Sequence, residues 1–335
     1  MFNFLSFADD KTETTTPVNS SEPTQEKFKR HDLNPVISPD TNIAWRAKAV
    51  FNPAAVFEEG KVHLVYRAMG YDNLSVFGYA SSIDGVTIQE NLDEPIFKPT
   101  QSFEMPTKPG WNAGCEDPRV TKIGNRFYMT YTAYDGTNPP RVALTSISVS
   151  DFLARKWNWD APKLISPPGV DDKDACIFKN NSGYFAFHRL GNAIWFDRLR
   201  DLSFPDIKFL TGGIMATARQ DSWDNIKIGI AGPPIETDKG LILLYHAVCN
   251  PGFSYKIGAM LLDPSDPRKI LGRTKEPLLE PEKDYELQGI IPNVVFSCGA
   301  VVMNGIIYLY YGGCDTVVGV ATMPLSDLLI VLKSA

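Results

Sequence analysis

One pattern occurs five times along this 335-residue chain and constrains its fold more than anything else in it. A short apolar strand meets a turn of small, polar or charged residues. A second, aromatic-rich strand follows and ends in a polar residue. The copies read NPAAVFEEGKVHLVYRA from Asn52, EDPRVTKIGNRFYMTYTAYD from Glu116, DACIFKNNSGYFAFHR from Asp174, GPPIETDKGLILLYHA from Gly232 and CGAVVMNGIIYLYYGGCD from Cys298. With Val56, Val120, Ile177, Ile235 and Val301 as equivalent positions, the spacings are 64, 57, 58 and 66 residues. A fixed period of this length made of short strands indicates a radial repeat, so the expected fold is all-β, a five-bladed β-propeller. Blades packed around one axis would gather the polar strand ends into a single pocket.

The repeat runs from about residue 40 to 325, which favours one domain over residues 31–335 although the length alone would allow two. Hydrophobic residues make up 44% of the chain, enough for a substantial core, and 25 Gly with 25 Pro suit a fold with many turns. Residues 8–30, rich in Thr, Ser and Glu with almost no apolar periodicity, read as part of a disordered or extended polar tail over residues 1–30. Helix signals are confined to short stretches around Ser150–Lys156 and Ser326–Leu332. A net charge of −6 gives no basic footprint for nucleic acid or an anionic membrane, and no apolar run approaches 18 residues. The start, MFNFLSFADD, lacks the basic and long apolar regions of a secretory signal. Cys115, Cys176, Cys249, Cys298 and Cys314 show no CxxC spacing and several lie in strand-like runs, as expected of buried free thiols in a reducing compartment. The expected location is the cytoplasm.

Chemistry must come from the strand ends. The densest local cluster is Gly114-Cys115-Glu116-Asp117-Pro118-Arg119, and the proline predicts an extended conformation for Asp117. An Asp-Pro turn with Arg119 paired to a nearby acid is the structural reading of the same residues. Arg67, Arg189 and His246 occupy matching places after the second strand of three copies, with Asp315 in a fourth, and Lys227, His188 and Tyr255 are further basic or phenolic candidates. Convergent Arg, Lys, His and Tyr suit a phosphate, whose oxygens accept charge-assisted hydrogen bonds. Asn52, Asp174, Asn293 and Asp315 are candidates for sugar hydroxyls, against Asx-turn capping as the structural reading. No GxSxG, P-loop, GxGxxG or HExxH occurs, and the four histidines lack metal-ligand spacing, so neither a metal nor a cofactor is expected. Trp111, Trp157, Trp195, Trp223 and Tyr285 could stack on sugar faces, although most fit a propeller core better.

Taken together, FNPAAV and VYRA (51–68), AGCEDPRV (113–120), KDACIF with HR (173–189), KIGIAGPP with YHAV (227–248), IPNVVFSCGAV (291–301) and YYGGCDTVVGVA (310–321) resemble glycoside hydrolase family 130. The long segment GAMLLDPSDPRKILGRTKEPLLEP (258–281) belongs to the same resemblance, which covers about residues 27–330. That family consists of five-bladed propellers and includes β-mannoside phosphorylases. The resemblance implies an inverting phosphorolysis of β-mannosides, β-1,4- or β-1,2-linked, to α-mannose 1-phosphate. Inorganic phosphate would be the nucleophile and co-substrate, and an oligosaccharide the partner. It makes Asp117 the general acid, acting through the 3-hydroxyl of the mannose. It assigns Arg189, His246, Tyr255 and Lys227 to phosphate, and Asn52, Arg67, Asp174, Asn293 and Asp315 to the donor sugar and its surroundings. An ordinary glycosidase needs two carboxylates, whereas a phosphorolytic enzyme needs only the acid. A hydrolase of the same family and a non-catalytic sugar-binding propeller are the alternatives. Asp171-Asp172 replaces the Arg-Asn that some family phosphorylases carry, so the resemblance leaves acceptor and linkage open. A homo-oligomer is compatible with the family.

Overall fold

The computed structural model describes residues 26–204 and 209–334. Almost all of its regular structure is strand, arranged as five antiparallel blades around one axis. Blade one comprises Ala49–Glu58, Lys61–Met69 and Leu74–Ser82, and blade two Ala113–Ile123, Arg126–Tyr134, Arg141–Ser148 and Lys163–Leu164. Blade three comprises Asp172–Asn180, Gly183–Leu190, Ala193–Leu199 and Gly213–Ala216. In blade four the first strand is split into Lys227–Ile230 and Ile235–Thr237, followed by Gly240–Cys249, Ser254–Leu262 and Ile270–Arg273. Blade five comprises Val295–Met303, Ile306–Gly313 and Val317–Pro324. Blades one and two also share a short parallel pairing, Leu74 to Ala113 and Ser75 to Gly114. The first strands pack against one another at the axis.

Five apolar clusters hold the ring together, one in each gap between neighbouring blades. Alternation along a strand sends successive side chains to opposite faces. In the second strand of blade one, Val62, Leu64, Tyr66 and Ala68 therefore pack toward blade five while Val65 packs toward blade two. Both faces of each central strand are covered, which explains the nearly unbroken apolar runs in the sequence. Burying each large side chain in these gaps contributes about 1.5–3 kcal/mol.

The chain closes its own ring. Lys29–Arg30 pairs antiparallel with the last strand of blade five through Thr322 and Ala321. Phe28 is buried in the cluster between blades four and five. Arg30 makes two bonds to the buried carboxylate of Glu286, at 2.7 and 2.8 Å. Residues 28–30 thus belong to the folded body rather than to the polar tail expected over 1–30, because Phe28 has an apolar gap to fill; residues 1–25 lie outside the described residues. The two expected helical stretches are helices at Val149–Leu153 and Leu325–Lys333. Ser148 caps the first by accepting from the Asp151 amide, and the second buries Leu328, Val331 and Leu332. A four-residue helix at Asp284–Leu287 carries Glu286 and was not signalled by the sequence.

Candidate active site

The first strands of blades one, two and three break register at the same place, between Phe51 and Ala54, Glu116 and Arg119, and Lys173 and Cys176. A residue inside each break has left-handed backbone: Asn52 at φ +47°, Asp117 at +53° and Asp174 at +53°. These are β-bulges, which bend a strand and re-aim a side chain. The extended conformation predicted for Asp117 from the following proline is therefore not found. Where the ladder is already broken, Pro53 and Pro118 remove no ladder bond, and Asn and Asp tolerate the left-handed region better than most residues. Asn293 and Asp315 share this conformation, at +60° and +52°. Strain of roughly 1–3 kcal/mol per residue is thus gathered at one end of the axis.

Opposite the residue before each bulge stands a second-strand residue: Arg67 faces Phe51, Thr132 faces Glu116 and Arg189 faces Lys173. His246 faces Gly229 and Gly312 faces Phe296 in the other two blades. Arg67, Arg189 and His246 are therefore equivalent, as expected, but they lie within their second strands rather than after them. The equivalent residue in blade five is Gly312, with Asp315 in the turn beyond. A side chain at Gly312 would collide with Oδ1 of Asn52, which leans across from blade one.

Two charge clusters meet on this scaffold. In the first, one guanidinium serves several acids. Arg67 donates to Asp117 Oδ1 at 3.2 Å, to Glu116 Oε1 at 2.6 Å and to Ser75 Oγ at 3.0 Å. Asn52 Nδ2 donates to the same Asp117 oxygen at 2.9 Å. Burial is the largest influence on Asp315 and pushes it up to about 7; Arg67 opposes this, while Asp117 and Glu116 add negative charge. Burial likewise raises Glu116, against the pull of Arg67. A proton is therefore readily held on this side.

The second cluster has the opposite imbalance. Asp174 accepts from Arg189 Nε at 2.6 Å and lies 3.3 Å from both Arg119 Nη2 and His246 Nε2. Burial opposes its ionisation, but Arg189, His246 and Arg119 outweigh it and hold the carboxyl well below the usual range. The ammonium of Lys227 sits 5.1 Å from the centre of the Tyr255 ring, and burial followed by Arg189 lowers its pKa. The Tyr255 amide donates to the Asn293 carbonyl at 3.0 Å, and burial raises the phenol's pKa. Burial lowers the His246 pKa, and its Nδ1 has no partner among the described residues. One buried carboxylate thus faces the charges of Arg119, Arg189 and Lys227, with His246 beside them, which leaves an excess of positive charge.

Beside Glu116 opens a cleft of about 540 Å³ whose lining includes Asn112, Tyr134, Asn138, Asp171 and Lys173. Asp174, expected among the sugar ligands, is instead committed to cations on both oxygens and is 2% exposed. His188 leaves the site altogether. Its strand alternation turns it away from Arg189, and its ring is held between Asp172 at 2.8 Å and Asp197 at 3.0 Å. Trp157 is packed in the gap between blades one and two, Trp223 stacks on Tyr245, and Trp195 lies against His188. Tyr285 hydrogen-bonds Tyr311, and Trp111 remains 43% exposed near the cleft. All five cysteines are buried and free. No helix among the described residues is long and apolar enough to cross a membrane. Glu116 was visible in sequence only as a neighbour of Asp117, whereas the ion pair expected of Arg119 is found, with Asp174. The parts played by Gly229 and Gly312 had no signal, because each depends on a side chain from another blade.

An acid-rich and a cation-rich cluster thus meet at one end of the propeller axis, and the relatives place the protein among carbohydrate-active enzymes. Residues 21–334 match the family described as beta-1,4-mannooligosaccharide phosphorylase, and the chain belongs to this family, glycoside hydrolase family 130. A beta-1,2-mannobiose phosphorylase from Thermoanaerobacter sp. (strain X514) is 38% identical over 89% of this chain and 97% of the relative. A 1,2-beta-oligomannan phosphorylase from the same organism is 38% identical over 90% of this chain and 99% of its own. The solved beta-1,2-mannobiose phosphorylase from Listeria innocua, in complex with beta-1,2-mannobiose, shares the fold, with a TM-score of 0.75 at 24% identity over 92% of this chain and 99% of that one.

Proposed function

We propose that the protein is a β-1,2-mannoside phosphorylase, converting a β-1,2-linked mannoside and inorganic phosphate to α-mannose 1-phosphate with inversion. Support for the β-1,2 linkage comes from the two relatives at 38% identity, a mannobiose and an oligomannan phosphorylase, both β-1,2. The observation that carries phosphorolysis is the charge asymmetry of the pocket. Acids outnumber cations around Arg67, and cations outnumber acids around Asp174.

Asp117 is the general acid. Among the described residues its side chain accepts hydrogen bonds at Oδ1 alone, from Asn52 and Arg67, which leaves Oδ2 for the sugar hydroxyl. The acid's proton passes, by way of the mannose 3-hydroxyl, to the departing glycosidic oxygen as the bond to the anomeric carbon breaks. A phosphate oxygen forms the new bond from the opposite face of the sugar. Arg189, Lys227, Tyr255 and His246 hold the phosphate, whose charge the cluster can accommodate without a further base. Arg67, Asn52, Asn293 and Asp315 surround the donor mannose, and Asp174 serves by aiming Arg189 and His246. The cleft beside Glu116 receives the departing sugar. Hydrolysis would require a free carboxylate to activate water where phosphate sits, and Asp174 is already occupied by cations.

Replacing Arg189 by alanine tests the phosphate assignment. The expected result is a KM for phosphate raised about 10-fold or more, from loss of a charge-assisted contact, with the KM for mannoside nearly unchanged. An unaltered phosphate KM would show that the anion binds elsewhere. Asp117→Asn should retain mannoside binding and lose about 10²- to 10⁴-fold in kcat.

A further inference from the structure

Arg119 is 1% exposed, the bulkiest fully buried side chain among the described residues. Its guanidinium ties three blades together. Nη1 donates to the backbone carbonyl of Asp117 at 2.9 Å, inside the bulge that aims this residue. Nη2 reaches Oδ1 of Asp174 at 3.3 Å, the oxygen opposite the one engaged by Arg189 and His246. Nε and Nη2 also donate to the Ile230 carbonyl of blade four, at 3.2 and 2.7 Å. The plane rests 5.9 Å from the centre of the Phe296 ring of blade five.

We propose that Arg119 is the positioning residue that sets the distance between the acid and the phosphate. The inference rests on the phosphorolytic reading above and extends it to a residue that contacts both clusters. The acid-rich and cation-rich clusters share no direct side-chain bond between Asp117 and Asp174; one guanidinium spans both. Its rigid fork fixes two directions at once, toward a carbonyl and toward a carboxylate. An ammonium keeps the charge but cannot reproduce that geometry. The phosphate cations are aimed through Asp174, so a shift at Arg119 moves the nucleophile as well as the proton donor. Misplacement by about 1 Å is enough to cost on the order of 100-fold in rate.

The test is the full-length Arg119→Lys variant, assayed with β-1,2-mannobiose and inorganic phosphate beside the wild type. Arg30→Lys, a change in the ring closure outside both charge clusters, controls for stability. Thermal melting establishes that each protein is folded. The expected result is a paired loss in R119K, with kcat down about 100-fold and phosphate KM up about 10-fold, while R30K keeps both constants. Arg189→Ala is expected to move phosphate KM with much less effect on kcat at saturating phosphate, so the paired loss distinguishes the bridge from an ordinary phosphate contact. Folded R119K with wild-type kcat and phosphate KM overturns the inference and leaves the phosphorolytic reading intact. A wild type without phosphate-dependent turnover overturns both. Should R119K fail to fold, Arg119→Gln, which keeps one donor nitrogen but loses the fork, takes its place. The same paired loss is then expected, and unchanged constants overturn the inference.

Discussion

Gly229 shows how tightly single residues are fitted around the cation-rich wall to which we assign phosphate. It stands in the first strand of blade four, opposite His246. A Cβ at this position would lie 2.6 Å from Asp174 Oδ2 and closer still to His246 Nε2, so a methyl would wedge between the two. Gly229→Ala should therefore raise phosphate KM about 10-fold or more while costing about 1–3 kcal/mol in stability, the usual range for overpacking. Steady-state kinetics with chemical denaturation checks both, and a normal phosphate KM would place His246 and Asp174 outside the phosphate-binding machinery. Asp174 carries a related lesson. The sequence presented a carboxylate at a strand end, a reasonable sugar ligand, but its partners Arg119, Arg189 and His246 come from three other strands, two of them in different blades.

At the scale of elements, blade three combines the site with a structural charge cluster on its other face. Both ring nitrogens of His188 face carboxylate oxygens, of Asp172 and Asp197, and only the imidazolium has two protons to donate. Burial opposes its charge, but the two acids outweigh this and raise its pKa to about 9. A pKa raised above the ordinary 6.5 contributes stability that is complete below about pH 6.5 and is lost as pH rises through about 9. The rise corresponds to a ceiling on the order of 3 kcal/mol, part of which is taken back because burial also raises Asp172. Melting temperatures of the wild type should fall between pH 6.5 and 9.5, and those of His188→Asn should fall less. Equal slopes would mean that the imidazole is neutral in the folded protein. Element types were largely legible: apolar runs gave strands, and the two short helices lay close to their expected places. The bulges were not. Asn-Pro and Asp-Pro predict extended backbone locally, whereas the packing of neighbouring first strands at the axis imposes the left-handed turn.

At the scale of the whole molecule, the five-fold period was enough to predict a ring, because strands spaced at 57 to 66 residues have to pack blade against blade. Ring closure was less visible, since the strand that completes blade five is only two residues long and follows a polar segment. The ring gives the pocket its division of labour: blade one's Arg67 meets the acids of blade two, while blades two, three and four supply Arg119, Arg189, Lys227 and His246 around Asp174. That division is the basis for assigning the nucleophile to phosphate rather than water. The direct measurement is to give the purified protein β-1,2-mannobiose with and without inorganic phosphate and to follow the products by phosphorus and proton NMR. Phosphorolysis predicts equimolar α-mannose 1-phosphate and mannose, formed only when phosphate is present and lost in Asp117→Asn. Mannobiose cleaved to free mannose at the same rate without phosphate would contradict it.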